Sequence, residues 1–302
     1  MGGRLKVEVG VFDQWVLRAQ ASVEQSLERW VPADAPAELG EAMRYAVLGG
    51  GKRLRPLLVL ATCEVVRGDL NAALRAACAV ELIHAYSLVH DDMPCMDDDV
   101  LRRGKPTLHV EYGEAQAMLA GDAMQALAFE VLTPDDGGIA PGLQARLCGL
   151  LARSAGHAGM AGGQAIDLAS VGLSLNEQAL RDMHRRKTGV LLQASVLMGA
   201  ACGEPDPRAW QALSEYGAAI GLAFQVVDDI LDVTQDSAVL GKTAGKDQDA
   251  NKPTYVSVLG LERARRYAVE LRDQAHAALQ ASGLTHADLL HVLADKVVER
   301  DN

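Results

Sequence analysis

The chain has 302 residues, 49% hydrophobic and 23% charged, the composition of a globular protein with a sizeable core. Its net charge of −11 argues against nucleic acid or an anionic membrane as a bulk partner, so any anion site must be a local cluster of cations. Aromatic residues are only 4%, and the five cysteines contain no C-x-x-C, which suits a reducing, cytoplasmic setting and a core of Leu, Ala, Val and Met.

The opening MGGRLKVEVG lacks the apolar stretch of a signal peptide, and Lys6 stands where a myristoylation signal has Ser or Thr. No apolar run approaches the roughly 20 residues that span a bilayer. Phe12, Trp15, Val16, Ala19, Val23, Leu27 and Trp30 mark a first amphipathic helix ending before Pro32. A second runs from Pro36 to Leu48, and GGGKRLRP (Gly49 to Pro56) is a turn with three cations that opens a helix over Leu57–Val66. In the next helix Leu74, Cys78, Leu82, Ala85 and Val89 repeat at steps of three and four, with Glu81, His84, Leu88 and Asp91 on a second stripe. Pro94 breaks it near Met93. Further helices are expected over Glu114–Leu132, Leu143–Asp167 (interrupted by Gly156, Gly159, Gly162 and Gly163), Asn176–Cys202 and Pro207–Val233, with two or three more in the tail. Strand-like alternation is almost absent and nothing reads as a linker or repeat, so the expectation is one all-α domain over residues 1–302.

Chemistry concentrates in two acidic clusters. Asp91, Asp92, Asp97, Asp98 and Asp99 fall within nine residues, followed by Arg102, Arg103 and Lys105. Clustered carboxylates repel, and hard oxygen donors without His or Cys favour Mg²⁺ shared with substrate phosphates; the alternative is a solvated acidic turn. Asp228, Asp229 and Asp232, preceded by Gln225, lie at i, i+3, i+4 and i+7 on an otherwise apolar helix. A carboxylate stripe there is costly unless paired or metal-bound, although an exposed acidic face is the competing reading. Cations come in sets: Lys52, Arg53 and Arg55; Arg102, Arg103 and Lys105; Arg185, Arg186 and Lys187; Lys242, Lys246 and Lys252. Together these features suggest polyphosphate held through metal on one side and by Arg or Lys on the other. A P-loop is excluded, because Gly51-Lys52 is followed by Arg53, and Asp236 stands where Gly241-Lys242-Thr243 would need a leading glycine.

GGGKRLRP, the block from His84 to Thr107, KTG at Lys187–Gly189, QVVDDILD at Gln225–Asp232 and GKTAGKD from Gly241, in this order, resemble bacterial short-chain trans-isoprenyl diphosphate synthases. The resemblance extends over nearly the whole chain. It implies an all-α isoprenoid-synthase-type helical bundle around a central cavity, usually homodimeric, with several Mg²⁺ per active site. Asp91 and Asp97 would bind Mg²⁺ on the allylic diphosphate, supported by Asp92. Asp228 would hold a further Mg²⁺, with Asp229 and Asp232 completing that motif. Arg102, Lys187, Thr188, Gln225 and Lys242 would line the allylic side, and Lys52, Arg55, His84 and Arg103 would bind isopentenyl diphosphate; Lys252 is a further substrate-binding candidate. Without the resemblance, His84 reads as a satisfied core histidine.

Within the family, the two extra residues Pro94 and Cys95, together with Tyr86 five before Asp91, look like farnesyl diphosphate synthases, with Tyr86 and its small neighbour Ser87 at the position that limits chain length. Geranylgeranyl diphosphate synthase is the alternative. A terpene cyclase would carry a Glu late in its second motif, and DDILDVTQD has none. A noncatalytic partner subunit would be expected to lose an acidic motif or a basic block, and an acidic scaffold gives no reason for the apolar flanks of DDILD.

Overall fold

Asp69 caps the helix on which much of the molecule packs, its carboxylate accepting from the Asn71 and Ala72 amides at 2.8 and 3.2 Å. The structure, a computed structural model, describes residues 9–173, 175–234 and 253–300. In chain order its elements are α1 (Val9–Trp30), α2 (Leu39–Val47), α3 (Leu54–Val65), α4 (Leu70–Asp91), β1 (Leu101–Arg102), β2 (Lys105–Pro106), α5 (Leu108–Tyr112) and α6 (Glu114–Leu132). There follow α7 (Pro141–Ala155), α8 (Met160–Ala169), α9 (Glu177–His184), a π-helical turn (Arg185–Gly189), α10 (Val190–Ala201), α11 (Pro207–Thr234), α12 (Tyr255–Leu259), α13 (Leu261–Ala281) and α14 (Asp288–Val298). The all-α bundle expected from the sequence is the fold observed.

Helix α4 is the hub, packed against α6, α3, α10, α1 and α2. Its predicted stripe is buried at Cys78, Leu82, Ala85 and Val89, and small residues on other faces (Ala72, Ala73, Ala76, Ala77, Ala79) let neighbours approach closely. The expectation of no long apolar run needs correction, because α4 is, by length and composition, apolar enough to cross a bilayer. Burial in the core accounts for that composition. Helix α11 packs on α13, α10 and α14 and brings its carboxylates opposite the end of α4.

Three boundaries differ from the sequence reading. The expected helix Leu143–Asp167 is two, α7 and α8, because Gly156 and Gly159 adopt non-helical conformations between them. The expected helix through Cys202 is interrupted by the π turn at Arg185–Gly189. A short hairpin pairs Leu101 with Pro106 and Arg102 with Lys105, which alternation could not reveal in two-residue strands.

Candidate active site

The chain leaving α4 folds straight back onto it. The amides of Asp97, Asp98 and Asp99 donate to the carbonyls of Asp91, Met93 and Asp92 at 2.9, 3.1 and 3.1 Å, and Asp98 takes a left-handed φ of 51°. This turn splits the five carboxylates. Asp91, Asp97 and Asp99 line a cleft, whereas Asp98 is exposed. Asp92, 3% exposed, turns inward and clamps Arg102 with three contacts of 2.5 to 2.9 Å. Burial, reinforced by the neighbouring Asp97 carboxylate against the pull of Lys187, pushes Asp91 up to about 6.

The carboxylates on α11 also separate by role. Asp228 faces the cleft, and one of its oxygens accepts from Arg300 Nη2 at 2.6 Å. Asp229, 2% exposed, accepts from the Tyr255 amide at 2.7 Å and from Gln225 Nε2 at 2.8 Å. Gln225 in turn accepts from the Thr188 hydroxyl at 3.0 Å, so one chain of hydrogen bonds fixes Thr188, Gln225 and Asp229 together. Asp232 is buried one turn further along.

The third wall comes from the π turn. Gly163 on α8 lies so close to it that a Cβ would stand 2.1 Å from the Lys187 amide nitrogen, a contact only glycine permits. Lys187 Nζ bonds Asp167 Oδ2 at 2.5 Å on the cleft side. The sequence does not single out Asp167, whose one local signal is an acidic residue on a helix opened by GMAGGQ. Arg300 carried no local signal at all.

A corner of the cleft is positive. Arg55, 9% exposed, has a buried Nε without a hydrogen-bond partner, and it lines the cavity with His84 and Arg103. Burial, and then the charges of Arg55 and Arg103, hold His84 well below its usual range, so its ring is neutral. Arg103 donates to the Gly50 carbonyl, and its guanidinium occupies the space where a Gly51 Cβ would sit 2.8 Å away, at a backbone φ of 135°. Arg53 differs from its neighbours. It is a buried structural cation, donating to Glu24, Glu81 and the Val47 carbonyl at 2.6 Å each. Lys52 is exposed, and the charges that act on it are those of Arg300 and Asp228. Lys242, Lys246 and Lys252 lie outside the described residues.

Behind the charged mouth is a cavity of about 540 Å³. Tyr86, Ser87 and Leu88 form one wall, Met160, Ala161, Ala165 and Leu168 another, and Phe224 a third. An adjoining space of about 420 Å³ holds Asp91, Asp97, Asp167, Lys187 and Asp228, so carboxylates on α4 and α11 face one another across it. The carboxylates here, with Asp91 pushed toward protonation by burial and by Asp97, fit a hard divalent cation. The arrangement can hold anionic groups beside a part-open, mostly apolar cavity.

Comparison with known proteins agrees. The polyprenyl synthetase family model matches residues 36–287. A chloroplast geranylgeranyl pyrophosphate synthase of Arabidopsis thaliana (synthase 11) is 47% identical over 295 residues, covering 96% of this chain and 83% of that protein. The structure of an FPP/GFPP synthase from Zymomonas mobilis superposes with a TM-score of 0.84 at 41% identity, covering 95% of this chain and 98% of that one. A geranyltransferase from Helicobacter pylori, solved with magnesium and isoprenyl diphosphate, gives 0.81 at 34% identity, covering 94% and 95%. The chain belongs to the polyprenyl synthetase family.

Proposed function

We propose that this prenyltransferase condenses isopentenyl diphosphate with dimethylallyl and then geranyl diphosphate, stopping at (2E,6E)-farnesyl diphosphate. The observation that carries this reading is the joining of two differently charged binding regions to one apolar chamber that Tyr86 borders. The allylic diphosphate belongs between Asp91, Asp97 and Asp228, beside Lys187 and Thr188. The positive corner of Arg55, His84 and Arg103 suits the diphosphate of isopentenyl diphosphate, and Lys52 is a further cation for it.

Divalent cations held by Asp91, Asp97 and Asp228 would supply Lewis-acid charge to the departing diphosphate. Lys187, oriented by Asp167, adds a fixed positive charge where negative charge develops. Asp92 acts indirectly by holding Arg102 against the cleft. The hydrogen-bonded Thr188–Gln225 pair keeps both dipoles in one orientation before substrate arrives. Leu88, Met160, Leu168 and Phe224 keep water from the allylic cation. The isopentenyl double bond attacks that cation, a C–C bond forms, and the proton lost from the adduct passes to the released diphosphate. Holding both substrates in one cleft makes this attack effectively intramolecular.

A geranylgeranyl product is the second reading, favoured by the names of relatives such as the Arabidopsis thaliana synthase. Assembly as a homodimer is part of the proposal, supported by exposed apolar side chains on α5 and α6 at Val110 (50% exposed), Met118 (41%) and Leu119 (54%). The deciding experiment incubates the purified protein with Mg²⁺, isopentenyl diphosphate and each allylic diphosphate in turn, then identifies the dephosphorylated prenyl alcohol. Farnesol as the end product supports the first reading and geranylgeraniol the second. The absence of any condensation would reject both.

A further inference from the structure

Three arginines in and around this cleft are held in unlike ways. Arg53 donates to two carboxylates and a carbonyl, and Arg102 grips both oxygens of Asp92. Arg300 has a poorer seat. Its Nη2 alone serves the Phe224 carbonyl and a single oxygen of Asp228, both at 2.6 Å, and its buried Nε has no hydrogen-bond partner. The guanidinium carbon stacks 3.9 Å from the centre of the Phe224 ring, which holds a cation without fixing it in one direction. Arg300 also lies just beyond the last turn of α14, so releasing it would disturb no helix. Asp228, by contrast, remains 39% exposed toward the cleft.

We propose that Arg300 is a removable counter-cation for Asp228, occupying the carboxylate until a divalent ion takes its place. The proposal rests on the reading that Asp228 is a metal ligand. A carboxylate facing Asp91 and Asp97 across a cleft is poorly tolerated without positive charge, and Arg300 supplies one unit of it. A divalent ion on either Asp228 oxygen would stand close to the guanidinium, which holds Oδ1 alone, and the repulsion at about 4 Å amounts to several RT even with water between them. Binding of the ion to Asp228 therefore favours release of Arg300. The uncharged cost of that exchange is low, since the seat satisfies few of the guanidinium's donors. Arg300 thus acts as a positioning residue that weakens metal binding in the substrate-free protein.

The test measures Mn²⁺ binding to the full chain without substrate, by the electron paramagnetic resonance signal of the free ion. Arg300→Met should tighten binding at one site by about tenfold or more, while Arg300→Lys, which keeps the charge, should stay near wild type. Adding Asp228→Asn to Arg300→Met should abolish the gain. Unchanged Mn²⁺ affinity in Arg300→Met, or a gain that survives in the double variant, would overturn the proposal. Circular dichroism of each variant verifies the fold. Condensation assayed on the wild-type protein reports separately on prenyl transfer, so the failure of one idea is not mistaken for failure of the other.

Discussion

Replacing Tyr86 with alanine tests whether one side chain sets product length. Tyr86 is 9% exposed and borders the cavity five residues before Asp91, about 7.5 Å back along α4. Its ring meets His90 edge-on at 5.7 Å, and its hydroxyl receives one long hydrogen bond from Gln125 at 3.4 Å. Truncating a buried aromatic costs about 3–5 kcal/mol, and a ring that already faces a void belongs at the lower end, about 3 kcal/mol. Domain stabilities of about 5–15 kcal/mol leave such a variant folded, with Tm lowered by roughly 5 °C for a chain of 302 residues. Every carboxylate and cation of the mouth is untouched, so turnover should persist. The expected change is in the product, from fifteen carbons to about twenty or more, because the growing chain gains the volume the ring vacates. Tyr86→Phe, which keeps the ring and loses only the weak hydroxyl contact, should still stop at farnesyl. Chromatography of the dephosphorylated products reads both outcomes. A folded, active Tyr86→Ala protein with wild-type product length would refute the steric floor and move length control elsewhere in the cavity.

Asp91→Ala should lower kcat by roughly 10²–10³ or more while leaving the helical circular dichroism spectrum unchanged, since it removes charge stabilisation at the departing diphosphate. Arg55→Ala or His84→Ala should mainly raise KM for isopentenyl diphosphate, and Lys187→Ala should mainly impair use of the allylic substrate; equal damage to both in all three would show the cleft is divided wrongly. Burial holds His184 down at about 4. Because the unfolded chain takes up that proton near 6.5, the stability it confers is whole above pH 6.5 and is lost as pH falls toward 4, by about 2 kcal/mol at pH 5. His184 stacks on Tyr255 at 5.4 Å and neither ring nitrogen makes a hydrogen bond, so His184→Phe should flatten the fall in urea midpoint between pH 7 and 5.

What the sequence revealed was periodic or contiguous. The buried stripe of α4, the chain reversal after Pro94 and the facing of Gln225 and Asp228 along α11 all follow from spacing, and the structure has them. What it concealed was the choice of partners. Nothing local distinguishes Arg53, which is sealed against Glu24 and Glu81, from Arg55 two residues later, which opens onto the cavity. The same holds for Asp91 and Asp92: one looks into the cleft and its neighbour is consumed by Arg102, because adjacent residues at a helix end point about 100° apart. Asp167 and Arg300 reach the site only through packing between distant segments, which spacing cannot encode. The split between α7 and α8 was foreshadowed by the glycines but could not be located, since a glycine tolerates a helix as well as ending one.

The π-helical turn at Arg185–Gly189 makes this site more vulnerable to a change of length than to many changes of composition. Such a turn carries its hydrogen bonds over one residue more than an α turn, so deleting Arg185 or Arg186 would let α9 and α10 join as uninterrupted α-helix. The wider turn absorbs the extra residue, so the two helices would keep their register, whereas the residues inside the turn would be re-aimed by as much as the roughly 100° that separates neighbours on a helix. With α10 still anchored against α3 and α11, the change would fall on Lys187 and Thr188, carrying the ammonium away from Asp167 and the hydroxyl away from Gln225. A gene with that deletion would still encode both aspartate-rich motifs, and its protein would have lost only the aim of one turn.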